Sequence, residues 1–506
     1  MFRFKSLNIH LQILLALLTV FILQSTILLI KDPPIWPDEA IYADIAINWL
    51  NEKRLGPDIW LDAYPGATEH FYSYPPIFLL IVATYFKTFG TSIETQRLIS
   101  QTAAIIFLFV FLCLFKSISQ NKKVHFLLVL PLIGLVLDPF FSQASRIARP
   151  EMTVTLIGSL GFLAYIKAKN SNGSLLLFTI SGLLISFSFL THFLGGMIFT
   201  ISVLLSFLLQ EKFNLIKSKS FYVFIFSFLI LPSFYLLSVL PNLDVFKYQL
   251  LLYAGTISEY FYFVLKLVYT SDILPQILIT TYATISVIFI IKTIKSKTRE
   301  LTPFAVILSV SWIVSVYSKE VWYFFYVIPW IYLAAAILLQ DFATNYFRNF
   351  LKLQKRKFLH LMAIEGPIIL IILMFLAGFL STFRLVNTFW GDKYSYHLFV
   401  KSVLSTVPES KTVFLSSIPD PYFGFKSQGR KNTLYEFPVV QIEKEKFLNL
   451  LNNSDYIVFN GVYNSMTELL PAHINKNTQN TTSIGSENQY KALIIELKPR
   501  NQRETP

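Results

Sequence analysis

Two adjacent carboxylates, Asp38 and Glu39, lie in the stretch WPDEAIYADIAINWL (36–50), directly after an apolar run. The stretch predicts a helix whose first turn holds both acids, where Asp38 could cap the helix and Glu39 could favour its dipole. The alternative is chemical, because a carboxylate at the mouth of a membrane cavity can accept a proton from an incoming hydroxyl group. Tyr42 in the same stretch is a candidate substrate-binding residue.

A second charged group, Arg146, Arg149 and Glu151, lies in SQASRIARPEMTVTL (142–156) at the entrance to a predicted membrane span. Ionisable side chains at a membrane edge often act only as anchors that extend toward water. Arginine is disfavoured at an outward edge, however, and two arginines at a helix start are suited to gripping a phosphate. We predict that both bind a donor phosphate and that Glu151 contacts substrate.

Three further motifs contribute candidates. HFYSYPPIF contains Tyr74, although its Pro-Pro pair needs no function, since proline suits the first turn of a helix. THFLGG places His192 in a tight turn between two spans, where histidine is commonly a hydrogen-bonded turn residue. YSKEVWYFFYVIPW contains Lys319, a cation on a side where cations are scarce, and Tyr326, one of several aromatics that ordinarily anchor at the interface.

These groups are all predicted to face one side of the membrane. They comprise carboxylates, aromatic rings and a set of cations that we predict to bind phosphate: Arg146, Arg149, His192 and Lys319. Their convergence is stronger evidence than any single member. A base opposite a phosphate clamp is what transfer of a group from a lipid phosphate to a hydroxyl or amine requires.

The composition identifies an integral membrane protein. Of 506 residues, 54% are hydrophobic and only 14% are charged, well below the roughly 25% of soluble proteins. The net charge of +13 does not indicate nucleic acid binding, because the basic residues lie mostly in short loops between apolar runs. Cys113, the only cysteine, excludes an intramolecular disulfide and any multi-cysteine metal site.

Apolar runs long enough to cross a bilayer recur along most of the chain. The eleven candidate spans are 10–30, 94–117, 124–139, 151–168, 174–191, 193–210, 219–240, 273–293, 301–317, 321–340 and 360–383. The segment 75–90 has too few apolar residues to span, so we predict a re-entrant or interfacial helix there.

The charges of the loops predict the topology. With 75–90 not spanning, one side receives loops with 19 Lys and Arg and three acids, which makes that side the cytoplasm. The N-terminus is then cytoplasmic, and the loop 31–93, with eight acids, faces outward together with the aromatic-rich loop 241–272.

The last part of the chain differs in composition. Residues 1–383 form the predicted membrane domain, whereas 384–506 are polar and contain the short apolar runs TVFL, YIVF and ALIIEL between turn residues. This pattern predicts a small outward-facing α/β domain.

The ordered set WPDEAIYADIA, YPPIF, TFGTSIETQRL, SRIARPEM, THFLGG and KEVWYFFYVIP resembles the GT-C glycosyltransferases, specifically the protein O-mannosyltransferase and aminoarabinose transferase group (families 39 and 83). The resemblance covers most of residues 10–340. Its most specific part is the Asp-Glu pair followed by the Pro-Pro helix and Arg97, which makes Arg97 a candidate substrate-binding residue.

The resemblance implies a GT-C fold, a polyprenyl- or dolichyl-phosphate sugar donor, an acceptor outside the cytoplasm and inversion at the anomeric carbon. It carries over Asp38 as the general base, with Glu39 beside it in the catalytic motif. His192 stands where relatives often have lysine, and Tyr74 replaces a basic residue. We therefore predict that Arg146, Arg149 and Lys319 form the phosphate clamp in place of those basic residues.

No metal or other cofactor is expected, since a phosphate is already a good leaving group, although Asp38, Glu39 and Glu151 together could hold a divalent cation. The predicted location is the plasma membrane of a prokaryote, with the site on the outer face. Two alternatives are a transporter or flippase, which needs ionisable groups deep within the spans, and a non-catalytic subunit of the same fold that binds a sugar lipid.

Overall fold

The computed structural model describes residues 9–60, 64–118, 129–171, 173–254, 273–296, 298–317, 321–350, 376, 380, 395–436, 444–461, 469–486 and 489–504. The helices in the first part of the chain are α1 (Ile9–Ile27), α2 (Pro37–Glu52), α3 (Pro76–Phe89), α4 (Ile93–Ile118), α5 (Val129–Leu137), α6 (Pro139–Ala144), α7 (Pro150–Asn170), α8 (Leu175–Thr191), α9 (Phe193–Glu211), α10 (Lys219–Val239), α11 (Leu243–Ala254), α12 (Ile273–Ser296), α13 (Thr302–Tyr317) and α14 (Ile328–Phe350).

Five described helical segments are long and apolar enough to cross a membrane: Ile93–Ile118, Phe193–Lys217, Lys219–Leu251, Gln276–Ser296 and Tyr323–Asp341. Shorter apolar helices occur at Leu15–Ile27, Pro76–Phe89, Leu175–Thr191 and Thr302–Tyr317. The prediction of a polytopic helical membrane protein is therefore confirmed.

Helices lie within ten of the eleven predicted spans. The eleventh, 360–383, falls outside the described residues apart from two isolated positions. The segment expected to be too short to span forms α3, which has 14 residues and begins at the second proline of its Pro-Pro pair. Proline fits there because the first turn of a helix makes no internal bond through its amide groups.

The membrane helices share one apolar core. Helix α7 packs against α4, α8 and α9, and Gly158 shows how closely. A Cβ at Gly158 would lie 2.2 Å from the ring of Phe199 on α9, so only glycine allows this helix contact. In a membrane the hydrophobic effect contributes little to helix association, so helices associate by packing closely at small residues.

The C-terminal part has α15 (Tyr396–Thr406), α16 (Tyr422–Ser427), α17 (Lys444–Asn452), α18 (Leu469–Asn477) and strands β1 (Thr412–Ser416), β2 (Thr433–Glu436), β3 (Tyr456–Phe459), β4 (Thr478–Ile484) and β5 (Ala492–Leu497). The strand order is β2-β1-β3-β5-β4. Strand β1 runs parallel to β2 and β3, whereas β5 is antiparallel to β3 and β4. The three predicted apolar runs lie in β1, β3 and β5, which confirms the α/β prediction.

This sheet domain does not stand apart from the loop between α1 and α4. A second apolar core combines residues of α2 and α3, such as Ile41 and Val82, with residues of the sheet, such as Phe414 and Ile457. The helix that carries Asp38 and Glu39 is therefore packed between the membrane helices and the C-terminal domain.

Candidate active site

Helix α2 presents Asp38 and Glu39 to different surroundings. Its N-cap residue is Trp36 and Pro37 occupies the first helical position, so the two acids follow in the first turn. The side chain of Asp38 is 21% exposed, whereas that of Glu39 is 0% exposed. Because carboxylates favour the positive end of a helix dipole, both positions are intrinsically suitable for acids.

Glu39 is fully engaged in polar contacts. Its carboxylate accepts two hydrogen bonds from Arg97, of 2.8 and 2.7 Å, and one each from the backbone amides of Trp36 and Ala148. Arg97 in turn donates to the carbonyl oxygens of Leu29 and Pro33. The pair therefore joins α2 to α4 and to the loop before α7.

Asp38 instead faces Arg149, the N-cap residue of α7. The Nη1 atom of Arg149 is hydrogen-bonded to Oδ2 of Asp38, while Nε lies 2.9 Å from Oε1 of Glu151. Burial works against the charge of Arg149, but Glu151 and then Asp38 outweigh it, so the pKa of this guanidinium is raised well above its ordinary value. Asp38 and Arg149, both singled out from the sequence, are thus in direct contact.

The two carboxylate oxygens of Glu151 have different surroundings. Only 3% of the residue is exposed, and Oε2 has no hydrogen-bond partner among the described residues. An unsatisfied buried carboxylate oxygen is costly. Substrate contact is one function that would account for it.

The turn between α8 and α9 supplies His192 beside this cluster. Its Nδ1 accepts a hydrogen bond from the amide of Gly195 and lies 2.9 Å from the hydroxyl of Tyr326. Burial lowers the pKa of the imidazole to about 4, so His192 is neutral at neutral pH. This differs from the expectation that His192 supplies positive charge.

Gly195 makes the contact between His192 and Tyr326 possible. A Cβ at this position would lie 2.6 Å from the Tyr326 hydroxyl. Tyr326 is 2% exposed and its ring stacks on that of Tyr323, with centroids 6.0 Å apart. Tyr326, predicted as a substrate-binding residue, therefore packs beside His192 and Tyr323.

Tyr42 lies one turn after Asp38 on α2. Its ring contacts those of Tyr74 and Phe78, at centroid distances of 4.8 and 5.2 Å. Burial raises the pKa of the Tyr42 phenol well above its usual value, so the phenol stays protonated. Tyr42 and Tyr74, both predicted from sequence, therefore adjoin each other near the acids.

Arg146 does not join the cluster. Its guanidinium donates to the backbone oxygen and to Oδ2 of Asp32, at 2.8 and 2.6 Å, and to Ser142 at 2.6 Å. The side chain has no solvent exposure, so these contacts occupy it completely. The structure thus separates Arg146 and Arg149, which the sequence analysis assigned to one clamp.

Two predictions about the site remain, the position of Lys319 and the absence of a metal ion. Lys319 falls outside the described residues. In the described part of the chain, no group of three or more His, Cys, Asp and Glu side chains could hold a metal ion. The expectation that no metal is required stays a prediction.

Two polar residues that contact predicted site residues, Gln96 and Asp32, were not predicted from the sequence. Gln96, on α4 beside Arg97, donates to the carbonyl oxygen of Glu39 at 3.1 Å. Asp32, the partner of Arg146, lies just after the first predicted span and precedes a Pro-Pro pair. The available signal for Asp32 was an acid next to the end of a predicted span, together with an arginine at the edge of another predicted span to pair with.

No family model matches the sequence, and no curated protein matches it. Solved structures do match. The apo crystal structure of ArnT from Cupriavidus metallidurans aligns over 99% of this chain and 100% of its own, with 11% identity and a TM-score of 0.63. The same protein bound to undecaprenyl phosphate covers 96% and 98%, with 10% identity and a TM-score of 0.60. The chain has the GT-C fold.

A second kind of GT-C protein also matches. The oligosaccharyltransferase from Archaeoglobus fulgidus, tethered with an acceptor peptide, aligns over 94% of this chain and 73% of its own, with 10% identity and a TM-score of 0.51. At such identities the match concerns the fold, and the chemistry has to be argued from the residues.

Proposed function

We propose that this protein is an integral-membrane inverting glycosyltransferase that moves a sugar from a polyprenyl-phosphate donor to an acceptor outside the cytoplasm. The observation that carries the proposal is the contact between Asp38 and Arg149 beside Glu151. A GT-C structure of similar fold contains undecaprenyl phosphate, which supports a lipid phosphate as the donor. The acceptor could be a protein hydroxyl, a lipid head group or a glycan.

In the proposed reaction, Asp38 accepts the proton of the acceptor hydroxyl as that oxygen attacks the anomeric carbon. The bond from the anomeric carbon to the phosphate oxygen breaks, and its electron pair leaves with the lipid phosphate. A hydroxyl is a far weaker acid than a carboxyl group, so proton transfer must accompany bond formation rather than precede it. Partial exposure of Asp38 lets an acceptor reach it.

Arg149 would stabilise the negative charge that grows on the departing phosphate. In the structure its guanidinium is shared between Asp38 and Glu151. A donor phosphate would take over from Asp38, because arginine binds phosphate oxygens in the same forked geometry that it uses for carboxylates. Donor binding would thereby free the base, while Glu151 keeps Arg149 in place.

The two adjacent acids have separate roles in this proposal. Glu39 accepts four hydrogen bonds from protein groups and has no exposed surface, so we assign it a positioning role together with Arg97. Asp38 is the acid with access to substrate. The neutral His192 and the protonated Tyr42 would supply hydrogen bonds to the sugar or phosphate rather than charge.

The decisive experiment is a donor-consumption assay. Purified protein in detergent is incubated with a radiolabelled polyprenyl-phosphate sugar and extracts of cell-envelope acceptors, and the released polyprenyl phosphate is measured. We expect consumption by the wild type and at least a hundredfold less by Asp38→Asn, with donor binding retained. A wild type that binds donor without consuming it would favour the non-catalytic subunit, and movement of intact donor across vesicles would favour the flippase.

A further inference from the structure

Helix α2 is held from two sides. Toward the membrane helices, Asp38 pairs with Arg149 and Glu39 with Arg97. Toward the C-terminal domain, the polar anchor is Asp44, six residues after Asp38 and completely buried. Six residues of α-helix correspond to about 9 Å of length and about 120° of rotation. Asp38 and Asp44 therefore lie on different faces of α2.

The contacts of Asp44 join three separate pieces of chain. Its Oδ1 accepts a 2.7 Å hydrogen bond from the hydroxyl of Tyr422, in the C-terminal domain. Its Oδ2 accepts from the backbone amides of Asp58 and Ile59, at 2.6 and 3.2 Å. Lys426 adds a cation 3.5 Å from Oδ1. A buried carboxylate satisfied in this way fixes the position of every group that donates to it.

Backbone contacts bind the segment just before α2 to the same domain. The amide of Asp420 donates to the carbonyl oxygen of Ile35 at 2.9 Å, three residues before Asp38. The hydroxyl of Tyr490 donates to the carbonyl oxygen of Lys31 at 3.1 Å. The C-terminal domain thus contacts the chain on both sides of the proposed base, in addition to sharing an apolar core with it.

We propose that the C-terminal domain is a fixed part of the catalytic framework and that Tyr422 is a positioning residue for Asp38. The role of Asp38 in this inference rests on the proposed function. The contacts that join Tyr422 to Asp44 and so to α2 do not depend on that function. Tyr422 holds Asp44, Asp44 sets the rotation of α2, and that rotation aims Asp38 at Arg149 and the acceptor. A domain that only covers the site or captures acceptor would need no buried ionic anchor on this helix.

The test compares Tyr422→Phe with Tyr456→Phe. Tyr456 donates to Glu496 at 3.0 Å within the C-terminal domain, so this control also removes one phenolic hydroxyl bonded to a carboxylate. Amide hydrogen exchange of residues 37–52 reports on α2 whether or not the protein is an enzyme. Donor consumption then gives kcat and KM separately.

For Tyr422→Phe we expect exchange of residues 37–52 to accelerate about tenfold or more, because a hydrogen bond to a charged acceptor is lost. We also expect kcat to fall about tenfold while KM for donor stays within twofold, with both properties unchanged in Tyr456→Phe. Exchange within twofold of wild type would overturn the proposal, as would faster exchange with an unaltered kcat. A wild type that consumes no donor would refute the glycosyltransferase function instead, and exchange would still decide whether Tyr422 fixes the helix.

Discussion

Arg97 and Glu39 form two hydrogen bonds of 2.8 and 2.7 Å, and neither side chain is exposed to solvent. The carboxylate next to Glu39 in sequence, Asp38, is partly exposed. Adjacent acids on one helix therefore serve different ends. One joins helices, and the other is available to a substrate.

This difference predicts opposite effects of two conservative substitutions. Glu39→Gln leaves Arg97 as a buried charge without a counter-ion, which destabilises a protein by about 3–5 kcal/mol. Asp38→Asn leaves Arg149 paired with Glu151, so stability should change by less than about 1 kcal/mol. Thermal unfolding in detergent measures both. Equal losses in the two variants would contradict the assignment.

The two arginines of SRIARPE should also differ. Arg149→Ala removes the charge-assisted hydrogen bonds that we propose Arg149 makes to the donor phosphate. Such bonds are worth about 1.5–3 kcal/mol each, so the affinity for undecaprenyl phosphate should fall at least tenfold. The matched control is Arg54→Ala, because Arg54 lies just after α2 and also pairs with two carboxylates, Glu52 and Asp58. Its affinity should be unchanged.

Arg146→Ala should affect protein stability rather than phosphate affinity. Its guanidinium is buried against Asp32 and Ser142, so the variant should lose stability and folded yield. Any folded fraction should bind undecaprenyl phosphate within threefold of wild type. A selective loss of binding in Arg146→Ala, at normal stability, would return this arginine to the phosphate clamp.

His192 predicts a pH dependence of stability. Its pKa is lowered from 6.5 to about 4 in the folded protein, so unfolding takes up a proton between these values. Stability is then complete above pH 6.5 and falls as the pH drops toward 4, by on the order of 3 kcal/mol. The cause is the burial of the imidazole, which disfavours its charged form.

The matched variant is His192→Asn, which keeps a side-chain oxygen for the helix cap but does not titrate. Unfolding temperatures at pH 4.5 and 7 should differ less for this variant than for wild type. If both proteins lose the same stability between these pH values, another group is responsible.

The sequence predicted the fold wherever a local pattern determines the structure. Long apolar runs predicted helices such as α4 and α9, and short runs bounded by turn residues predicted strands such as β1. Packing between distant segments left no such signal. The shared core of α2 and the C-terminal sheet joins residues that are hundreds of positions apart, and no periodicity within either segment reveals the partner.

The candidate site shows the same limit. Charge type and predicted side placed Asp38, Arg149, Glu151 and His192 together, and the structure brings them near one another. The partner of each arginine could not be predicted, because pairing depends on side-chain geometry at distances of about 3 Å. Neither could the charge of His192, since burial and not residue type decides its pKa.

Glu151 yields the prediction that separates binding from turnover. With His192 neutral, the described cluster sets two carboxyl groups, those of Asp38 and Glu151, beside the single guanidinium of Arg149, which opposes an anionic phosphate. Glu151→Gln removes one negative charge and should tighten undecaprenyl phosphate binding several-fold. The same change weakens the anchor of Arg149, so kcat for donor consumption should fall at least tenfold. Glu52→Gln changes an acid at the end of α2 that pairs with Arg54. It is the control and should alter neither quantity. Weaker phosphate binding in Glu151→Gln would mean that this carboxylate serves the donor through Arg149 alone, and that the charge of the cluster does not limit affinity.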